Sequence, residues 1–180
     1  MSLDLNSPVL KELKNRDRLA QIKLIILDVD GVLTDGRIQW TVDQGWTRSY
    51  HTQDGYGIRL LLRSGVQVAV FSGSDSLDIR ERMKILNITH TYLGSEDKIK
   101  ALEDLIQKTG IQAHQMLFIG DDLFDIPVLE KVGFSATVPH APFAVKKRVH
   151  YVTQAQGGFG AVRELIEALR EVQGIGPYLD

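Results

Sequence analysis

Two kinds of apolar pattern alternate along the chain. Lys23 to Val29 is a continuous run of Ile and Leu, as expected of a strand buried on both faces. Val66 to Phe71 and Gln115 to Ile119 repeat that pattern, and Thr89 to Leu93, Phe134 to Val138 and His150 to Thr153 give shorter versions. Between them the apolar spacing changes to that of helices: Asp54 to Arg63, Ser76 to Leu86, Asp97 to Thr109, Phe124 to Val132 and Phe159 to Val172. Asp54 is a candidate N-cap, and Gly65 and Gly110 follow helix ends. Pro8 to Gln21 predicts one more short helix, with Val9, Leu10 and Leu13 as its apolar stripe.

Strands that alternate with helices predict an α/β fold, a doubly wound, mostly parallel sheet of Rossmann-like type with right-handed crossovers. One segment breaks the rhythm. Arg37 to Val42 alternates, Asp43-Gln44-Gly45 reads as a turn, and Trp46 to His51 is rich in β formers. This predicts a protruding hairpin over 37–51 whose face of Ile38, Trp40 and Val42 needs a partner. The expected organisation is an N-terminal helical extension (1–22), one domain (23–173) and a short tail (174–180).

In a doubly wound sheet, ligands bind beyond the carboxyl ends of the strands. There the chain carries Asp28 and Asp30 after the first strand and Ser72-Gly73 after the second. Lys98 follows the third segment, and Gly120-Asp121-Asp122 with Asp125 follows the next strand. Residues i and i+2 of a strand point the same way, so Asp28 and Asp30 can reach one ligand. Carboxylates this close repel unless a cation lies among them. The chain has no cysteine, which excludes disulfides and thiolate metal sites. An all-oxygen set suits Mg²⁺. A hydroxyl and an ammonium beside Mg²⁺ suit a tetrahedral phosphoryl dianion, and one carboxylate could serve as nucleophile.

The remaining composition narrows the partners. The 180 residues carry 21 Lys and Arg against 23 Asp and Glu, so no basic excess points to nucleic acid. Lys146-Lys147-Arg148 is the one short basic cluster and reads as a solvated helix end. No apolar run approaches the ~18 residues of a membrane span. The N-terminal 21 residues scatter charge with no apolar core, unlike a secretory signal, so the expected location is cytoplasmic, with no membrane partner.

These residues, in this order, resemble the haloacid dehalogenase-like phosphatases. Asp28 to Thr34 matches DxDGxxT, Ser72-Gly73 the second motif, Lys98 the third, and Gly120 to Asp125 matches GDDxxD. The closer resemblance is to the group acting on 3-deoxy-D-manno-octulosonate 8-phosphate. It is carried by DVDGVLTDG running into a hairpin, by Asp54-Gly55-Tyr56-Gly57-Ile58, and by Gly157-Gly158-Phe159-Gly160-Ala161-Val162-Arg163-Glu164.

The resemblance implies a Mg²⁺-dependent hydrolysis of a phosphorylated sugar acid through an aspartyl-phosphate. It makes Asp28 the nucleophile and a metal ligand, and Asp30 the general acid/base with its carbonyl on the metal. Asp121 becomes the third ligand, and Ser72, Gly73 and Lys98 the phosphate site. Thr34, Asp122 and Asp125 become supporting residues, and Arg82 a contact for the sugar-acid carboxylate. It also implies that there is no separate cap domain, and a homotetramer in which hairpins associate and a neighbouring subunit helps to cover the site. Ser74 departs from the pattern, since relatives often carry a basic residue there. Other readings of the same residues are a nine-carbon nonulosonate 9-phosphate phosphatase, a phosphorylatable receiver-like signalling domain, and a non-catalytic oligomerisation module.

Overall fold

The computed structural model describes residues 8–11 and 13–176. Residues 1–7 and 12 of the expected N-terminal extension, the Leu13 side chain, and 177–180 of the expected tail lie outside the described residues.

Six strands form one parallel sheet: β1 (Leu24–Leu27), β4 (Gln67–Ser72), β5 (His90–Leu93), β6 (Met116–Ile119), β7 (Phe134–Thr137) and β8 (Tyr151–Val152). Their spatial order is β5-β4-β1-β6-β7-β8. Leu24 of β1 is opposite Gln67 of β4 on one side and Met116 of β6 on the other. The three continuous apolar runs therefore lie side by side at the centre of the sheet. The order of the strands reverses beside β1, with β4 and β5 laid down on one side and β6 to β8 on the other, which puts the crevice of the sheet at its carboxyl end.

Helices cover the sheet: α1 (Leu13–Ala20), α2 (Thr52–Arg63), α3 (Leu77–Ile85), α4 (Lys98–Thr109), α5 (Ile126–Leu129), α6 (Phe143–Lys146) and α7 (Ala161–Gln173). Val162, Leu165, Ile166 and Leu169 of α7 pack on Ile25 and Leu27 of β1 and Leu117 of β6. On the opposite face Phe71 meets Phe118 and Tyr92. Both faces of the central strands are thus buried, which is why their sequences run apolar without alternation.

The segment before β1 joins this core. Val9, Leu10 and Leu19 are fully buried, and Gln173 Nε2 donates to the Leu19 and Ile22 carbonyls. The expected helix over Pro8 to Gln21 is in fact a 3₁₀ turn (Pro8–Lys11) followed by α1. Helix α6 was not expected, although Lys146 does close it, as the basic cluster suggested.

Asp54 is not the N-cap of its own helix. Helix α2 starts at Thr52, and the Asp54 carboxylate instead accepts the Arg163 N–H at 2.7 Å, capping the first turn of α7. That contact ties the DGYG and GGFG segments together. Glu164 completes the tie by accepting the N–H groups of Gln154 and Ala155 and the Tyr151 hydroxyl. Gly157 lies so close to the Gly31 carbonyl that any Cβ there would overlap it. The GGFG turn therefore backs the loop after β1.

The hairpin is β2 (Gln39–Thr41) and β3 (Gly45–Thr47), shorter than expected. Trp40 pairs with Trp46 across it, ring centroids 5.1 Å apart, and Gly45 takes the left-handed conformation (φ 72°) that the turn requires. Trp40 remains 59% exposed and Val42 92%. Among the described residues no second domain stands over the strand ends.

Asp54→Ala leaves the start of α7 with an unpaired buried N–H, and we expect it to destabilise the fold by about 1–3 kcal/mol. A lowered urea midpoint with an unchanged m-value is the readout.

Candidate active site

The loops that follow five strands, β1, β4, β5, β6 and β7, converge on one cavity of about 450 Å³. The turn that follows β1, Val29–Leu33, starts the site. Thr34 N–H donates back to the Val29 carbonyl at 3.0 Å, and the buried Thr34 hydroxyl donates to the same oxygen. Gly31 has φ 85° and approaches the Asp121 carboxylate so closely that a side chain would overlap it. A glycine is needed there on both counts. The turn leaves Asp28 buried at the floor and Asp30 partly open.

Lys98, the first residue of α4, has a side chain only 1% exposed. Its Nζ donates to Asp28 Oδ1 at 2.8 Å and to Asp125 Oδ1 at 2.6 Å, and the Phe124 ring stands over it at 4.7 Å. A buried ammonium needs such partners, because desolvating it alone costs several kcal/mol. Asp125 is fully buried, and its other oxygen accepts the N–H groups of Asp121 and Asp122 at 2.9 and 3.0 Å. It thereby shapes the GDD turn. Asp122 caps the short 3₁₀ turn (Leu123–Asp125) by accepting the Leu123 N–H and lines the cavity.

Ser72 ends β4 and reaches the cavity with Gly73 and Ser74. Six carboxylates also line it: Asp28, Asp30, Asp35, Glu96, Asp121 and Asp122. Asp35 belongs to the DVDGVLTDG motif, whereas Glu96 and His140 were not anticipated, and nothing in their local sequence marks them. His140 Nε2 is 3.5 Å from Asp121 Oδ2.

Arg48 was also missed. Its side chain is 3% exposed and grips Asp30 through Nε at 2.6 Å and Nη2 at 3.1 Å. Arg82, by contrast, does not line the cavity. Its guanidinium lies over the Tyr50 ring at 5.2 Å and fills space beside Gly55 on α2. Within one subunit it is a packing residue on the α2 side of α3.

The donor set fits a hard divalent cation. Oxygens of Asp28, Asp121 and Asp125 lie within 4.8 Å of one another. Asp125 is already engaged by Lys98 and two N–H groups, which leaves Asp28 and Asp121 as the side chains able to ligate. Burial pushes the Asp28 carboxyl well above its ordinary range; Lys98 opposes this, and the charges of Asp125 and Asp121 add to it. Burial, then the Asp125 charge, raises Asp121 from 3.8 to about 6. Two carboxyls that resist ionisation side by side need a cation between them.

The chain is 42% identical over 153 residues to the 3-deoxy-D-manno-octulosonate 8-phosphate phosphatase KdsC of Escherichia coli, covering 85% of this chain and 81% of that protein. The chain belongs to the haloacid dehalogenase-like hydrolases. The family described by that name matches residues 79–166. The crystal structure of 3-deoxy-D-manno-octulosonate 8-phosphate phosphatase from Moraxella catarrhalis, in complex with a magnesium ion, a phosphate ion and a KDO molecule, is 36% identical. It superposes with a TM-score of 0.85, covering 88% of this chain and 91% of that one. The cobalt-bound deoxy-D-mannose-octulosonate 8-phosphate phosphatase from Haemophilus influenzae is 41% identical, with a TM-score of 0.84 over 87% of this chain and 92% of that one. Its relatives along most of its length are phosphatases, and the chain is a phosphoric monoester hydrolase like them.

A group whose folded pKa is raised favours the fold below its ordinary pKa and loses that contribution as pH rises through the folded value. Without metal, Asp121 therefore costs stability as pH climbs from about 4 to about 6. Metal binding requires the deprotonated form. We expect saturating Mg²⁺ to raise the thermal midpoint clearly at pH 7.5 and much less at pH 5, read by scanning calorimetry.

Proposed function

We propose that the protein hydrolyses 3-deoxy-D-manno-octulosonate 8-phosphate in a Mg²⁺-dependent reaction through an aspartyl-phosphate. The observation that carries the chemistry is the buried Lys98 held between Asp28 and Asp125 at the floor of a cavity that also presents Asp30, Asp121 and Ser72. The substrate follows from the named activity of relatives along most of the chain.

Asp28, the Asp30 carbonyl and Asp121 would hold the cation. Bound there, Mg²⁺ neutralises phosphoryl charge and keeps Asp28 ionised. Asp28 attacks phosphorus as its P–O ester bond breaks, and Asp30 gives the leaving alkoxide its proton. A water then attacks the aspartyl-phosphate, Asp30 takes its proton, and the Asp28 carboxylate and inorganic phosphate are regenerated. Ser72 and the Gly73 N–H bind phosphoryl oxygens. Lys98 holds Asp28 in line and counters the dianion. Asp125 and Asp122 fix the turn that carries Asp121, and Thr34 fixes the turn that carries Asp30.

Asp28→Asn keeps the shape and removes the attacking anion. We expect turnover of the sugar-acid phosphate to fall by at least about 10⁴-fold with the fold intact by circular dichroism. A screen of phosphorylated sugar acids with and without Mg²⁺ tests the substrate: preference for a nine-carbon 9-phosphate would overturn the eight-carbon assignment.

The hairpin supports a homo-oligomer, by resemblance a tetramer, in which copies of the chain associate through Ile38, Trp40, Val42 and Trp46. These four are 50%, 59%, 92% and 46% exposed in one subunit. Burying each large side chain gains about 1.5–3 kcal/mol. We expect Trp40→Asp to reduce the particle mass in light scattering. A wild type that is monomeric at micromolar concentration would remove the assembly.

A further inference from the structure

Asp30 is held from behind. Arg48, the first residue after β3, places Nε on Asp30 Oδ1 at 2.6 Å and Nη2 on Oδ2 at 3.1 Å. The remaining face of the guanidinium is pinned by α3 and the loop before it: Nη1 donates to the Ser76 hydroxyl at 3.0 Å and to both Asp78 oxygens at 3.2 Å. The Ser74 hydroxyl adds a bond to Asp30 Oδ2 at 2.9 Å. A side chain 3% exposed that keeps its charge between two carboxylates has little freedom to turn.

The geometry assigns Arg48 as the residue that positions Asp30 for proton transfer, working as a fork whose other side is anchored on Ser76 and Asp78. This rests on Asp30 being the acid/base group. A carboxylate has about four lone-pair sites, two on each oxygen. Among the described residues, Oδ2 accepts from Nη2 and from Ser74 and is filled, whereas Oδ1 accepts only from Nε. One site on Oδ1 stays open, and Asp30 lines the cavity. Oδ1 is therefore the atom that handles the proton, and the fork sets its direction. Without the fork the carboxylate can rotate about its side-chain bonds, and misplacing a catalytic group by about 1 Å can cost on the order of 10²-fold.

The test compares single-turnover phosphoryl transfer from 3-deoxy-D-manno-octulosonate 8-phosphate, whose alkoxide needs a proton, with that from p-nitrophenyl phosphate, whose phenolate does not. Full-length Asp30→Asn, Arg48→Gln, Arg48→Lys and Asp78→Asn proteins are used with Mg²⁺. We expect Arg48→Gln to slow the sugar ester by roughly 10–100-fold, a part of the roughly 10²–10⁴-fold that acid catalysis supplies in full. The aryl ester should slow by less than about 3-fold, and KM for the sugar ester should stay within about 2-fold of wild type. Arg48→Lys should recover part of the loss, and Asp78→Asn, which loosens the anchor without touching Asp30, should show a smaller loss of the same selectivity. Equal slowing of both esters, or a change confined to KM, overturns the proposal. If Asp30→Asn itself slows both esters equally, the acid role fails first and the positioning role with it; if Asp30→Asn is selective and the Arg48 variants are not, only the positioning role fails. Should Arg48→Gln not fold, Arg48→Lys and Asp78→Asn decide alone, and wild-type selectivity in both overturns it.

Discussion

Everything at the strand ends depends on one buried ammonium. Lys98 sets its buried charge between Asp28 and Asp125, and a buried charge without such partners is costly for all three groups. The three groups come from β1, α4 and the loop after β6, so the cluster stitches together elements 70 and 27 residues apart in sequence. Its charge is unbalanced on the acidic side. Asp121 adds a further carboxylate that the lysine does not touch, and burial pushes its pKa up to about 6. The fold thus builds a place short of one cation, open to the cavity on the Asp28 and Asp121 side. A phosphoryl dianion could not approach six carboxylates unless that deficit were met.

The parallel sheet makes this arrangement possible. Because β1 is central and paired with both β4 and β6, β1 and β6 end level, β4 runs two residues further to Ser72, and the three deliver their following residues to one cavity. The motifs near the end of the chain serve that geometry at a distance. Asp54 caps α7, Glu164 fixes the loop before it, and Gly157 lies against the backbone of the loop after β1. Their place in the family pattern is thereby explained by packing, with no contact to the cavity.

The hairpin has a double character. Outward, it offers two tryptophans and two aliphatic side chains to solvent, more apolar surface than a free element of six strand residues can bury for itself. Inward, its exit leads at once to Arg48 and through it to Asp30. The exposed apolar surface of the hairpin and the hold on the Asp30 carboxylate are therefore adjacent along this chain.

The sequence alone carried the sheet, because three runs of consecutive Ile, Leu, Val and Phe have no other soluble resting place than a strand covered on both faces. It carried Asp28, Asp30, Ser72, Lys98, Asp121 and Asp125 as well, because a doubly wound sheet converts position after a strand into position in space, a rule that acts locally. Arg48, Glu96 and His140 were invisible. Arg48 lies at the hairpin exit and grips Asp30, 18 residues away, and Glu96 and His140 reach the cavity from loops, where no local period sets side-chain direction. Asp54 and Arg82 show the same limit from the other side. Asp54 looks like a helix cap and is one, but for a helix 109 residues distant; Arg82 looks solvated or ligand-facing and instead packs on Tyr50. Local pattern determines which element a residue belongs to, and only the packing of elements decides what its side chain meets.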